Sequence, residues 1–238
     1  MPYHLSTLTS RVLRAATAIS VAAIGLVAAT STPAYANCSN GSFRAGDYSN
    51  GISNAYNVQS QMETPYSGEI TGISSSRPSA ADIYLSNGSD FVQFGWYLGA
   101  GSQLPYTTTP RTFIGEYYPG QTNNELLRAG PTLSWSTYYR FEIVRASNNN
   151  YTVYFQGVNQ FTTKRTHFSS AGPGFNGEVD YNCTVMAARA YKNASPPRSL
   201  QYQNSSTGWK YFADSRYASS GFFSLSAGDQ ATDWAYGG

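Results

Sequence analysis

The chain has 238 residues and a formal net charge of +2, with 12% of its residues charged and 15% aromatic. Residues 1–36 hold two of the 15 basic residues and no acidic one, so the remainder carries 15 − 2 = 13 basic against 13 acidic residues. A nearly neutral surface without a basic run gives nucleic acid or an anionic membrane little to bind. We therefore expect neither as a partner.

Residues 1–36 have the organisation of an export signal. Two arginines precede an apolar run over residues 15–30, and a small-x-small cleavage pattern ends at Ala36. The apolar run is short compared with the roughly 20 residues of a membrane span. The sequence thus predicts a secreted protein whose residues 37–238 form a single domain, which we expect to be a monomer.

Cysteine and histidine usage limits the available chemistry. Two cysteines in an exported chain predict a disulfide, here between Cys38 and Cys183. One histidine, His167, follows the signal, and we expect it on ordinary surface. Without a cluster of histidine and cysteine ligands the sequence predicts no metal site, and we expect no cofactor.

Short strands separated by turn clusters fill the rest of the chain. A hairpin with its turn at residues 147–150 is the best defined pair, because asparagines there tolerate the left-handed conformation. Such spacing predicts an all-β fold, a two-sheet antiparallel sandwich of the concanavalin or lectin-like jelly-roll type. The expected strands cover residues 66–73, 81–85, 89–101, 111–118, 138–145, 151–156, 177–190, 199–203 and 208–213. We expect a loop at 105–110, and we assign no secondary structure to the Ser- and Gly-rich tail from Asp214.

The strand at 89–101 has the sharpest alternation in the chain. Its core face is predicted to carry four large apolar side chains, namely Val92, Phe94, Trp96 and Leu98. The opposite face places the Gln93 amide among aromatic rings and beside Gly95, which permits close approach of another chain. This pattern fits a substrate groove, but a buried amide that pairs with backbone groups is the more usual case.

A second alternating strand, at 176–186, carries carboxylates. Glu178 and Asp180 share one face, about 6.5 to 7 Å apart. An exposed outer face is the ordinary interpretation of such residues. Two carboxylates this close also raise one another's proton affinity, as general acid–base catalysis requires. Glu116, near the end of a strand, is a third candidate.

Three short motifs resemble the glutamic peptidases, that is, the fungal eqolisins and the plant neprosins. They read VQFGW at 92–96, GEYYP at 115–119 and NGEV at 176–179, and the resemblance covers roughly residues 91–186. It implies a β-sandwich endopeptidase with a groove across one sheet. The eqolisin glutamine and glutamate match Gln93 and Glu178, and Gln93 also stands where neprosins have the first of their two glutamates.

The resemblance implies a mechanism for cleaving a polypeptide. Glu178 would take a proton from the attacking water and return it to the leaving amine, while the Gln93 amide would donate a hydrogen bond to the oxyanion. Both side chains must then lie on one face, within about one water of each other. We assign the substrate-binding residues as Tyr97, Glu116, Tyr118 and Asp180.

Two alternatives use the same fold. A non-catalytic module could bind polysaccharide or cell wall by stacking sugars on aromatic rings, with Trp96, Tyr97, Tyr117, Tyr118, Trp135 and Trp209 as candidates. A glycosidase could use Glu116 and Glu178, if their carboxyl groups lie about 5 to 10 Å apart across a groove.

Overall fold

A computed structural model of the protein shows antiparallel strands arranged in two sheets. The structure describes residues 40–48, 52–88, 90–101, 103–118, 125–164, 167–181, 186–191, 200–204, 208–212, 216–218, 223–227 and 232–237. The first eight strands are β1 (Asn40–Tyr48), β2 (Asn57–Glu63), β3 (Ser79–Asn87), β4 (Asp90–Gly99), β5 (Thr107–Tyr117), β6 (Glu125–Thr132), β7 (Tyr138–Arg145) and β8 (Tyr151–Phe155). The others are β9 (Val158–Thr162), β10 (Gly172–Tyr181), β11 (Met186–Tyr191), β12 (Gln201–Gln203), β13 (Lys210–Tyr211), β14 (Arg216–Ala218), β15 (Phe223–Ala227) and β16 (Thr232–Gly237).

The strand order defines two sheets. The first sheet has seven strands in the order β14-β1-β10-β3-β4-β5-β6. The second sheet has the path β15-β16-β11-β2-β7-β8-β9, with β12 paired to β2 and β13 paired to β12. All of the recorded pairings between these strands are antiparallel, which confirms the predicted all-β sandwich. No helix among the described residues is long and apolar enough to cross a membrane.

The core lies between the two sheets and takes one face of each. All four predicted core residues of β4 have 0% exposure. From the second sheet, Val58, Met62 and Phe141 are equally buried, and the rings of Phe94 and Phe141 meet with centroids 5.0 Å apart. The Trp96 indole also crosses the core, because its Nε1–H donates to the carbonyl oxygen of Glu63 at 3.1 Å.

Strand boundaries differ most from the predictions at three places. Residues 66–73 form turns instead of a strand, because Gly68 and Gly72 adopt positive φ and the backbone N–H of Glu69 donates to the Tyr66 carbonyl. The strand β5 already begins at Thr107, inside the expected loop. The stretch 177–190 contributes to two strands that belong to different sheets, β10 and β11.

Before the tail, four described strands were not expected from the sequence, namely β1, β2, β6 and β9. The tail from Asp214 contributes β14, β15 and β16. Both cysteines of the expected disulfide, Cys38 and Cys183, lie outside the described residues, as do residues 1–36. The disulfide, the export signal and the boundary of the domain therefore stay predictions.

Candidate functional site

The side of the first sheet that faces away from the core carries most of the predicted site; we call it the outer face. Alternation places side chains there, because their neighbours along each strand are core residues with 0–1% exposure, such as Ile83, Val92 and Val179. The outer face is defined by Asn176 and Glu178 of β10, Asp82 and Tyr84 of β3, and Gln93 and Tyr97 of β4.

Gln93 and Glu178 share this face but are not neighbours. Glu178 is paired with Ala80 of β3, and Ala80 is paired with Tyr97 of β4. Along β4, Gln93 therefore lies 97 − 93 = 4 residues away from the position that is level with Glu178. The strands β10 and β4 lie on either side of β3. Two strand spacings and this offset together separate the Cα atoms by about 16 Å. One of the two conditions for the dyad, a common face, is therefore met, while the separation is wide for one shared water.

The Gln93 side chain lies across the glycine of the neighbouring strand. A Cβ atom built on Gly115 of β5 would come within 2.9 Å of Gln93 Cδ, so the amide leans toward β5 and away from β10. Tyr84 lies in the same way across Gly174 of β10, because a Cβ there would collide with its ring. Each glycine makes room for the side chain from β3 or β4.

Asp82 was not predicted from the sequence and lies between the two predicted catalytic residues. Its register partner on β10 is Asn176, so Asp82 and Glu178 occupy diagonal positions on adjacent strands. Diagonal residues on one face of an antiparallel pair lie about 7 to 8 Å apart. Asp82 is 1% exposed, Asn176 is 3% exposed and Glu178 is partly buried. Alternation with Ala81, Ile83 and Leu85 in the sequence was the available signal for Asp82.

Tyr97, a predicted substrate-binding residue, is buried beneath a loop. Its ring packs with Leu104 and Phe113, and its hydroxyl donates to the Pro105 carbonyl at 3.0 Å. Burial raises the pKa of Tyr97, and the nearby Arg111 opposes that rise. The β4–β5 connection thus covers the part of the outer face toward β5 and leaves Tyr97 at 0% exposure.

Glu116 and Tyr118 lie on the opposite side of the first sheet from Glu178. Glu116 is paired with the core residue Val92 and is only 1% exposed. Its carboxylate accepts hydrogen bonds from the Tyr118 hydroxyl and the Arg128 guanidinium. The structure therefore separates these two residues from Gln93, and the close Glu116–Glu178 pair that a glycosidase would need is not formed.

His167 is buried beside Glu116 and Tyr118, so the prediction of a surface histidine is wrong. We call Glu116, Tyr118, Arg128 and His167 the Glu116 cluster. Its side chain has 0% exposure, and its Nδ1 lies 2.6 Å from Asp90 Oδ1. Its Nε2 lies 3.6 Å from Glu116 Oε2, and its ring stacks on Tyr118 with centroids 4.4 Å apart. Asp90, 77 residues away in sequence, compensates the polarity of Nδ1. Among the described residues Nε2 is buried without a hydrogen-bond partner and faces Glu116.

The ionisation of Glu116 follows from these contacts. Burial alone would raise the pKa of Glu116, but His167, the Tyr118 hydroxyl and the Arg128 guanidinium together lower it below its ordinary value of 4.5. Arg128 also lies over the Phe161 ring of β9, at 4.1 Å from the centroid. The cluster thus ties the edge strands of the two sheets together around a carboxylate.

The remaining predicted residues fall into two groups. The backbone of Asp180 lies at the end of β10, but its side chain is outside the described part of the structure. Of the proposed sugar-stacking rings, Trp96, Tyr97 and Tyr118 are buried, while Tyr117, Trp135 and Trp209 are partly buried. Within the described ranges, no group of three or more His, Cys, Asp and Glu side chains is placed to hold a metal ion.

Comparison with known proteins gives structural matches only. No protein-family model and no curated protein matches the chain. A crystal structure of scytalido-glutamic peptidase with a peptide-based transition-state analogue matches with a TM-score of 0.48 and 12% identity, over 83% of this chain and 98% of that one. SCP-B, a member of the eqolisin family in complex with the tripeptide Ala-Ile-His, matches with a TM-score of 0.45 and 11% identity, over 84% and 98%.

Solved structures of proteins that act on or bind carbohydrate also match. A family 16 endo-glucanase from Bacteroides ovatus has a TM-score of 0.37 and 10% identity, over 58% of this chain and 65% of that one. The resemblance to glutamic peptidases is thus present in the structure as a partial and divergent match. Likenesses at this level do not bear on chemistry.

Proposed function

We propose that the protein is a secreted hydrolase that cleaves polypeptides on the outer face, with Glu178 and Asp82 as its carboxyl pair. The observation that carries the proposal is the diagonal placement of a partly buried glutamate beside a buried aspartate on adjacent strands. Paired carboxyl groups on one face can divide the roles of base and acid. Export through the signal at residues 1–36 would place this activity outside the cell, in a monomeric enzyme.

The proposed reaction needs one water and no cofactor. The Glu178 carboxylate takes a proton from the water while the water oxygen forms a bond to the peptide carbonyl carbon. Asp82, in its acid form, donates a hydrogen bond to the oxyanion of the tetrahedral intermediate. Glu178 then returns the proton to the amide nitrogen, the C–N bond breaks, and a new carboxyl group and a new amine leave.

Gln93 has a different role in this proposal from the one implied by the resemblance. An extended peptide advances about 3.4 Å per residue, so the roughly 16 Å between the Cα atoms of Glu178 and Gln93 corresponds to about five substrate residues. An amide at that distance contacts the bound chain away from the scissile bond. Gln93 thus serves binding, and Glu178 serves the chemical step.

The test is digestion of an unfolded polypeptide. The purified mature protein is incubated with carboxymethylated casein in water enriched in oxygen-18, from acidic to neutral pH, and new termini are identified by mass spectrometry. The proposal predicts internal cleavage with one heavy oxygen in each new carboxyl group. Absence of cleavage at every pH would contradict the proposal and would favour the non-catalytic polysaccharide module.

Replacing Gln93 by alanine is expected to raise KM about fivefold or more and to change kcat by less than about threefold. A contact away from the scissile bond stabilises the bound substrate and the transition state equally, so its loss weakens binding without slowing the chemical step. Steady-state kinetics on a fluorogenic peptide of eight residues or more measures both constants. The matched control is Gln160→Ala, at an exposed position of β9 in the second sheet, which should leave both constants unchanged. If Gln93→Ala instead slowed turnover at saturating substrate by about two orders of magnitude, the amide would belong at the reacting centre.

A further inference from the structure

An open cavity of about 370 Å³ lies on the second sheet and takes no part in the proposed hydrolysis. It is lined by Arg140, Glu142 and Val144 of β7, Tyr154 of β8 and Gly157 of the following turn. Its volume is within the range of roughly 300 to 1,000 Å³ that is usual for small-ligand sites. We call it the second-sheet cavity.

The strand register explains why these side chains converge. Glu142 is paired with Tyr154, so their side chains are neighbours on one face. The residues between them in sequence, Ile143 and Val153, have 0% exposure and face the core. The tight turn at Gln156 and Gly157, where φ is 52° and 77°, contributes Gly157 to the lining of the cavity.

Arginine and glutamate form a fixed pair in the floor of the cavity. The Arg140 guanidinium donates through Nη2 to Glu142 Oε2 at 2.9 Å and to Gln59 Oε1 at 2.8 Å. Within the part of the chain that the structure describes, its Nε–H is buried without a hydrogen-bond partner. Gln59 in turn donates to Gln201 Oε1 at 2.7 Å, which holds the amide in place.

The charge balance of the pair selects the class of ligand. An anion meets the Glu142 carboxylate, and a cation meets the Arg140 guanidinium, so neither gains a net attraction. A neutral ligand with adjacent hydroxyl groups can accept a hydrogen bond from the arginine and donate one to the glutamate. The Tyr154 ring beside the pair provides an aromatic surface for the C–H face of a sugar ring.

We propose that the second-sheet cavity binds a neutral oligosaccharide, with its hydroxyl groups on Arg140 and Glu142 and one sugar ring against Tyr154. This site does not depend on the proposed peptide hydrolysis, because the cavity and the outer face belong to different sheets. A secreted protein with such a site attaches to a neutral polysaccharide through one sheet and leaves the other sheet accessible.

Calorimetric titration of the mature protein with cellohexaose, xylohexaose and chitohexaose tests the site. We expect at least one of these neutral oligosaccharides to bind and an anionic galacturonic acid hexamer to bind at least about tenfold more weakly. Tyr154→Ala and Glu142→Gln should each weaken that binding about fivefold or more, since each removes a direct contact. The Glu142→Gln variant is isosteric, and urea unfolding of both variants shows whether the fold is retained.

A matched control is Tyr106→Ala, which removes a 51% exposed tyrosine from the β4–β5 loop of the other sheet and should leave affinity unchanged. Three results would overturn the proposal: no binding of any neutral oligosaccharide, equal binding of the galacturonic acid hexamer, or unchanged affinity in both cavity variants. Loss of affinity in Tyr106→Ala alone would place the sugar site on the first sheet.

Discussion

Trp96→Ala is expected to lower the free energy of unfolding by about 3 to 5 kcal/mol, the usual cost of truncating a large core aromatic residue. The indole has 0% exposure and packs within the core cluster that both sheets share. Its Nε1–H also donates to the Glu63 carbonyl of the second sheet, so the substitution leaves a cavity and removes a buried hydrogen bond. Urea unfolding followed by circular dichroism measures the loss.

Two further variants separate packing from the hydrogen bond. Trp96→Phe keeps most of the ring but loses the donor, so its cost should be about 1 to 2 kcal/mol. Trp209→Ala removes another tryptophan side chain, from a partly buried position. It should lower the free energy of unfolding by less than half as much as Trp96→Ala. Equal losses in Trp96→Ala and Trp209→Ala would refute the central place of Trp96 in the core.

Glu116→Gln is expected to destabilise the protein by about 2 to 3 kcal/mol at neutral pH, because the buried carboxylate accepts charge-assisted hydrogen bonds from Tyr118 and Arg128. The difference should depend on pH. The folded state lowers the pKa of Glu116, so the carboxylate contributes stability above the unfolded-state value of about 4.5 and loses it as pH falls through the lower folded value.

Unfolding free energies of the wild type and Glu116→Gln, measured from neutral to strongly acidic pH, test this sign. The difference between the two proteins should be largest at neutral pH and should shrink in acid. A difference that grows as pH falls would show that Glu116 is held in its neutral form instead. Glu69→Gln, on the turn between β2 and β3, provides a comparison with a carboxylate that is paired to a different arginine, Arg189.

Alternation predicted the strands whose two faces differ in chemistry. The β4 pattern of large apolar side chains every second residue gave its core face correctly, and the same holds for Val179 against Glu178 in β10. The alternation pattern did not predict the strand β2, because its core-facing side carries Ser60 between Val58 and Met62. A buried serine weakens the period-2 signal on which the prediction rests.

The site depends on which strands become neighbours, and the alternation pattern within single strands does not reveal which strands pair. The strand β3 is inserted between β10 and β4, and this insertion separates Gln93 from Glu178 and brings Asp82 beside Glu178. His167 is a second case, because its partner Asp90 is 77 residues away in the chain. From the sequence, a lone histidine is therefore predicted to lie on the surface, because the carboxylates that surround it in the fold are distant in the chain.

Proteolysis by the Glu178→Gln variant tests the central claim most directly. The substitution keeps the size of the side chain and removes the proposed base, so cleavage of unfolded casein should fall by at least about 100-fold while the urea unfolding transition stays cooperative. The same digestion by the wild-type protein is the reference. Cleavage by a folded Glu178→Gln variant at the wild-type rate would contradict the assignment of the outer face as the active site.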